Sequence, residues 1–336
     1  MFKQLQKILN KLNYGNLVLF LLVLATFIFF GLGVITVQSC GLIILLLLCF
    51  ILLFRMIDEH RKYSPGCHLR HFTKLDNTAT YLETMPRFHD NRPESPHGIL
   101  LLHGFSASTS EFKQLCPALD KAGILYYAPT LSGFGNESPI ELKTIKAEAW
   151  IRDAERAYNL VSAMSEKVSI VAHSMGSMLA IYLAGKYPVE NMILTSPYLE
   201  SKKAHKFLEK MLRLPVISGI FMFLNPIVTK SSLADLESVA QTGRFVYSSV
   251  PVQAISELWR LSGLVRYEKA SAATWLLLLG DRDTTIEHDA TIRRLTTVCP
   301  GIKIIRYGAS GHNLMEDVEQ EQVISEIIER INGDIL

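Results

Sequence analysis

The chain has 336 residues, enough for one large core, and a formal net charge of +2 with both signs interspersed. That balance excludes the broad basic field a nucleic-acid binder presents to phosphate, so nucleic acid is not an expected partner. The five cysteines, Cys40, Cys49, Cys67, Cys116 and Cys299, have neither metal-ligand spacing nor the look of a disulfide framework, and read as free thiols of a reducing compartment.

Residues 1–16 form a basic leader. Phe2, Leu5, Ile8, Leu9 and Leu12 recur at helical spacing opposite Lys3, Lys7 and Lys11. That pattern suits a short helix lying on an anionic membrane surface, with an ordinary solvated leader as the alternative. Residues 17–57 are the expected anchor. No charged side chain stands between Leu17 and Phe54. As one helix this stretch measures about 57 Å, nearly twice the roughly 30 Å hydrocarbon core. Two spans fit better, Leu17 to about Val37 and Gly41 to about Ile57, reversing through Gln38, Ser39, Cys40 and Gly41. Lysines precede the stretch, while Arg55, Arg61 and Lys62 follow it, so both flanks and the domain beyond are expected on the cytoplasmic side. A single tilted or re-entrant span would place the domain on the other side. The second apolar run argues against a cleaved signal peptide, and against reading V-Q-S-C at Val37–Cys40 as a processing site.

Residues 58–97 carry Pro65, Pro86, Pro93 and Pro96 and read as a linker with room for a short strand hairpin before the sheet starts. From Gly98 onward a periodic domain runs to residue 336. Strand-length apolar runs stand at 99–102, 124–128, 168–172, 192–195, 275–279 and 302–307. They are mostly too continuous for half-exposed strands and predict buried parallel ones. Helical patterns alternate with them, as over 145–164, where Trp150, Ala154, Ala157 and Val161 share one face opposite Lys146, Glu148, Arg152, Asp153 and Glu155. The expected fold is therefore a doubly wound, mostly parallel α/β sheet. Residues from about 200 to 271 break the alternation. They carry Phe207, Met211, Leu214, Ile217, Ile220, Phe221, Met222, Phe223 and Leu224 with no clear strand run, which predicts an inserted helical cap.

The sharpest chemical signal is V-S-I-V-A-H-S-M-G-S at Val168–Ser177, a strand running into a helix through a tight turn. Such a turn lifts the Ser174 hydroxyl above the sheet and aims helix-N-terminal amides at a reacting carbonyl. Taken alone, the same serine could simply cap a helix. Upstream, L-L-H-G-F at Leu101–Phe105 ends a strand at a glycine, so the Phe105 amide can point into the same site and form an oxyanion hole with the Met175 amide. The His103 imidazole is expected to pack under that loop rather than to react. A serine nucleophile needs a base, and the base needs an acid to orient it. His312, in S-G-H-N-L at Ser310–Leu314, sits in a loop where a core histidine would be unusual, ahead of a helix expected near Glu316. In L-L-L-L-G-D-R-D at Leu276–Asp283, both Asp281 and Asp283 are candidate acids; Asp283, three residues past Gly280, leaves the chain room to turn back toward His312.

The set L-H-G-F, A-P-T-L-S-G-F-G at Ala128–Gly135, A-H-S-M-G, G-D-R-D and S-G-H, in this order and at these separations, resembles the carboxylesterase and monoacylglycerol-lipase branch of the α/β-hydrolases. The resemblance runs from about Gly98 to the C-terminus, apart from the cap. It implies Ser174, Asp283 and His312 as the triad, Phe105 and Met175 as oxyanion donors, and no metal or organic cofactor. Ala172 replaces the first glycine of the usual G-x-S-x-G turn, a small-for-small change. Phe134 stands where related sequences have the histidine of G-H-G, which puts the bracing of that loop in question. The apolar cap and anchor together suggest a lipid or other long-chain ester substrate drawn from the membrane, such as a monoacylglycerol or lysophospholipid, unless the cap's apolar residues are simply its own core. Acyl transfer to an alcohol or peptide hydrolysis would use the same triad, and a non-catalytic membrane-tethered receptor or scaffold could share the fold.

Overall fold

In the computed structural model the chain divides into two compact units, Met1–Lys62 and Tyr63–Leu336. The structure describes residues 95–136, 139–200, 245–247 and 249–333, with short pieces at 41–43, 45–46, 87–89, 209–210 and 227–229 and the single residue 49. The leader, nearly all of the expected anchor and most of the linker therefore lie outside the described residues. Among the described residues no helix is long and apolar enough to cross a membrane.

The continuous apolar runs become strands covered on both faces, while the run at 302–307, broken by Lys303 and Arg306, becomes a partly exposed edge strand. In chain order the elements are β1 (Arg87–His89), β2 (Ser95–Leu102), α1 (Leu115–Ala122), β3 (Leu125–Ala128), α2 (Ala147–Ser162), β4 (Ser165–His173), α3 (Gly176–Ala184) and β5 (Asn191–Thr195). There follow β6 (Ile227–Thr229), β7 (Ser249–Pro251), α4 (Val252–Leu264), β8 (Thr274–Gly280), α5 (His288–Val298), β9 (Lys303–Tyr307) and α6 (Gln320–Asn332). Seven strands make one sheet in the order β1-β3-β2-β4-β5-β8-β9, parallel throughout except for β1, which pairs antiparallel with β3.

Successive strand residues point to opposite faces, so each strand feeds two cores. Leu100, Leu102, Ile170, Ala172, Met192, Leu194, Leu277 and Leu279 pack with Trp150, Ala154 and Val161 of α2, Met178 and Leu179 of α3, Ala254 and Leu261 of α4 and Leu295 of α5. Their neighbours Ile99, Leu101, Val171, Ile193, Leu276 and Leu278 pack with Leu115 and Leu119 of α1 and Val323, Ile327 and Ile331 of α6. Each such side chain contributes roughly 1.5–3 kcal/mol by leaving water.

The structure departs from the sequence expectation at the rims. β2 and β4 begin at Ser95 and Ser165 rather than at their apolar runs, and pair there through Ser95 with Ser165 and His97 with Lys167. Backbone pairing continues past the apolar runs because its bonds join main-chain groups, whatever the side chains. Of the linker, β1 is described, and it pairs antiparallel with β3 on the side away from β2. The segment expected to be a purely helical cap contains the antiparallel pair β6–β7 ahead of α4, three-residue strands too short to leave a pattern in the sequence. The helix expected near Glu316 starts at Gln320, after a 3-10 turn at Leu314–Glu316.

Below the core, at the amino ends of the strands, a polar chain crosses the sheet. His97 Nε2 lies 2.6 Å from Ser169 Oγ, Asn191 donates to the same oxygen through its backbone and side-chain N–H groups, and Thr274 donates to Asn191 Oδ1. The carboxyl ends are left for chemistry, as expected where strand order reverses on either side of β2.

Candidate active site

β4 ends at His173, and the chain turns through Ser174 into α3. Ser174 has φ of +50°, a left-handed conformation that a residue with a Cβ adopts at a cost of order 1–3 kcal/mol. The turn is held by Ser174 N donating to Thr195 O at 3.1 Å and Tyr198 N donating to Ser174 O at 3.1 Å. Gly176 admits the close approach of α3 to the end of β2: a Cβ there would stand 2.2 Å from Leu102 O and 2.9 Å from His103 O. The first small residue of the motif, Ala172, is fully buried.

The loops after β8 and β9 bring the other two groups to this serine. His312 Nε2 lies 3.0 Å from Ser174 Oγ, and His312 Nδ1 lies 2.7 Å from Asp283 Oδ2. The two loops interlock. Asp283 N donates to Gly280 O, Arg282 N to Ser310 O and Asp281 N to Tyr307 O, and a Cβ on Gly280 would stand 2.2 Å from Gly311 O. Carboxylates fix what remains. Asp283 Oδ1 accepts from Thr285 N and Ile286 N, Asp317 Oδ2 from Gly311 N at 2.7 Å, and Glu319 Oε2 from Ala309 N and Ser310 Oγ. Burial alone would raise the Asp283 carboxyl; the charge and hydrogen bond of His312, with the two amides, outweigh it and lower it to about 2. Asp281, the rival acid, faces outward and pairs with Arg306.

The expected oxyanion donors flank the serine. Gly104 is packed so closely that a Cβ on it would lie 3.2 Å from Ser174 Cβ, and Phe105 follows directly. Among the described residues neither the Phe105 nor the Met175 amide donates a hydrogen bond within the protein, so both remain available to a ligand. His103 is fully buried. Its Nε2 accepts from Leu131 N at 3.0 Å, so its Nδ1 carries the proton and donates to Gly104 O at 2.9 Å. Desolvation is the largest influence on this imidazole and holds it below its ordinary pKa, in keeping with a neutral structural role.

Phe134 accounts for the departure from G-H-G. Its ring meets His103 edge-on at 5.5 Å and Phe105 at 5.7 Å, and packs beside Trp150 at 5.6 Å. The loop is thus braced by an aromatic cluster, while Ser132 is pinned by Asp153 and by Trp150 Nε1.

Sequence reasoning missed a strap formed by residues 245–247. Phe245 N donates to Ser110 Oγ, Tyr247 N donates to Ser106 O at 2.8 Å, and Asn136 N donates to the Tyr247 hydroxyl at 2.9 Å. The strap ties the two loops beside the serine to each other; its only sequence signal, a phenylalanine and a tyrosine two apart, is too common to read. Among the described residues no cluster of three His, Cys, Asp or Glu side chains is placed to hold a metal ion.

A parallel sheet with an antiparallel edge strand, a serine on a strained strand-to-helix turn, and an acid and a histidine on later carboxyl-end loops together define an α/β-hydrolase. The chain belongs to the family described as serine aminopeptidase, S33, whose model matches residues 94–319. A curated relative, the thermostable monoacylglycerol lipase of Bacillus sp. (strain H-257), is 29% identical over 93 residues, 28% of this chain and 37% of the lipase. The aligned part is thus little more than a third of that enzyme. Among solved structures, one from work on LipS and LipT, two metagenome-derived lipolytic enzymes, superposes with TM-score 0.62 at 17% identity, covering 75% of this chain and 98% of its own. The monoacylglycerol lipase of Paleococcus ferrophilus gives 0.56 at 18% identity, covering 73% and 98%.

Proposed function

We propose that the protein is a membrane-anchored serine hydrolase that cleaves carboxylic esters, with long-chain lipid esters such as monoacylglycerol or lysophospholipid as its substrate class. The observation that carries this reading is the unbroken hydrogen-bonded line from Asp283 through His312 to Ser174. Ser174 Oγ attacks the ester carbonyl carbon while His312 Nε2 takes its proton, and Asp283 holds the imidazole in the required tautomer and balances its charge. The carbonyl oxygen, now negative, sits against the amides of Phe105 and Met175. The C–O bond to the leaving alcohol breaks as His312 returns the proton to that oxygen. Water then attacks the acyl-serine by the same route in reverse, releasing the acid and restoring the serine.

Two features support a lipid substrate: the lipolytic names of the relatives, and the run of apolar residues between 200 and 271 in a chain whose residues 17–54 carry no charge. The anchor is two spans with both flanks cytoplasmic. The family description names an aminopeptidase, so amide hydrolysis is the second reading, using the same groups on a poorer leaving group.

Fluorophosphonate labelling of the full chain tests the main claim. Wild type is expected to be modified at Ser174 and Ser174→Ala to remain unlabelled, with hydrolysis of p-nitrophenyl esters falling by about 10⁶-fold. Folded wild type that takes no label would overturn it. A panel running from acetate to oleoyl esters, together with an amino-acid anilide, decides substrate class; activity that peaks at acetate sinks the lipid reading, and faster cleavage of the anilide favours the second. Cysteine accessibility mapping checks the anchor, since labels reaching residues 1–16 and 58–97 from opposite sides would refute two spans.

A further inference from the structure

Glu111 lies on the 3-10 turn Thr109–Phe112 in the loop after β2. It is only 4% exposed, and a carboxyl is kept out of water only where something holds it. Its Oε2 accepts from Gly104 N at 2.7 Å. Its Oε1 lies 3.8 Å from Nε2 of His173, the residue before Ser174. His173 Nδ1 lies 3.1 Å from Thr195 O, which can only accept, so the proton is on Nδ1 and Nε2 faces the Glu111 carboxyl. The His173 ring in turn lies 4.9 Å from the His312 ring. Glu111, His173, Asn313, Met315 and Glu316 line one crevice beside the loop that carries His312.

Gly104 has no side chain to limit its torsions, yet the direction of the Phe105 N–H depends on them, because that N–H and Gly104 O belong to one peptide plane. The structure fixes both sides of Gly104. His103 Nδ1 holds its carbonyl at 2.9 Å, which sets the plane carrying the Phe105 amide, and Glu111 holds its N–H, which sets the plane before it. With both planes set, the Phe105 donor is aimed before any substrate arrives.

We propose that Glu111 is a positioning residue for the reaction. It locks Gly104 so that the Phe105 amide points at the developing oxyanion, and it acts through the reach of its carboxyl oxygen rather than through its charge. This rests on the reading of Phe105 as an oxyanion donor. Its effect belongs to the transition state, so losing it should lower kcat and leave KM unchanged.

The test compares Glu111→Gln, Glu111→Asp and Glu111→Ala in the full chain, with p-nitrophenyl octanoate as substrate and an alkyl trifluoromethyl ketone as an analogue that binds as an oxyanion. Gln keeps an oxygen within reach of Gly104 N but no charge; Asp keeps the charge but falls short. Ala and Asp are expected to lose about 10- to 100-fold in kcat and in ketone affinity, with KM within about twofold, while Gln recovers most of both. Gln as slow as Ala, Asp as fast as wild type, or losses confined to KM would each overturn the proposal. If Ala does not fold, the Gln and Asp pair decides alone. Failure of the hydrolase reading would look different, because wild type itself would then neither turn over the ester nor take the fluorophosphonate label.

Discussion

At the nucleophile itself, on the turn from β4 into α3, the backbone is held by shape. Ser174, and Ser196 at the end of the neighbouring β5, take positive φ, and Gly176 lets a helix lie against backbone oxygens. On the base side, at the ends of β8 and β9, the backbone is held by carboxylates, with Asp283, Asp317 and Glu319 each accepting from loop amides. The nucleophile must project from a fixed point, which close packing provides. The acid and base come from loops separated by a whole helix and strand; backbone bonds from Asp281 and Arg282 to Tyr307 and Ser310 tie those loops together, and each carboxylate then fixes its own loop.

The largest expected blow to this contrast comes from Asp283→Asn. It keeps the shape but withdraws the charge and favours the wrong imidazole tautomer, so kcat should fall by about 10⁴-fold while fluorophosphonate labelling slows in parallel. The same variant reports on stability. A carboxyl lowered to about 2 stabilises the fold fully above its unfolded value near 4, and that contribution, about 2 kcal/mol, disappears as pH falls from 4 through 2. Acid titrations of wild type and variant should converge across that window; parallel curves would mean the carboxyl is not held as described. Next comes Gly176→Ala, where a single methyl meets backbone that cannot move aside. We expect a loss of about 3 kcal/mol or more, read as a Tm lower by roughly 10 °C, whereas an unchanged Tm would show that the nucleophile side is not held by shape. The smallest effects separate two nearby aspartates. Asp317→Ala strands the Gly311 amide and should cost about 1–2 kcal/mol with a fall in kcat. Asp281→Ala removes an exposed pair with Arg306 and should cost under about 1 kcal/mol with no kinetic change. Equal losses from the two would dissolve the distinction.

Much of this was legible beforehand because each inner strand is buried on both faces and so writes a continuous apolar run. β2, β3, β4, β5 and β8 all fall on such runs, and β9, at the edge, falls on a run broken by Lys303 and Arg306. Ser174 and His312 could be picked out because the reaction asks for particular side chains at particular turns, and Asp283 was preferred to Asp281 because it left the chain room to turn back. β1, β6 and β7 were not, since three residues carry no period. Glu111 was hidden for a different reason. A lone glutamate after a run of small residues reads as solvated, and nothing local says that the chain will fold back to bury it against Gly104.

The ties at 200 and 245–247 bear on how this protein can vary. Glu200 is paired with Arg294, and the strap at 245–247 is fastened to the loops beside the serine, so the stretch between them is anchored at both ends. Lengthening such a stretch adds little closure entropy, about 0.6 kcal/mol for a doubling. Exchange or insertion between these two ties should therefore leave the catalytic frame's own fastenings in place.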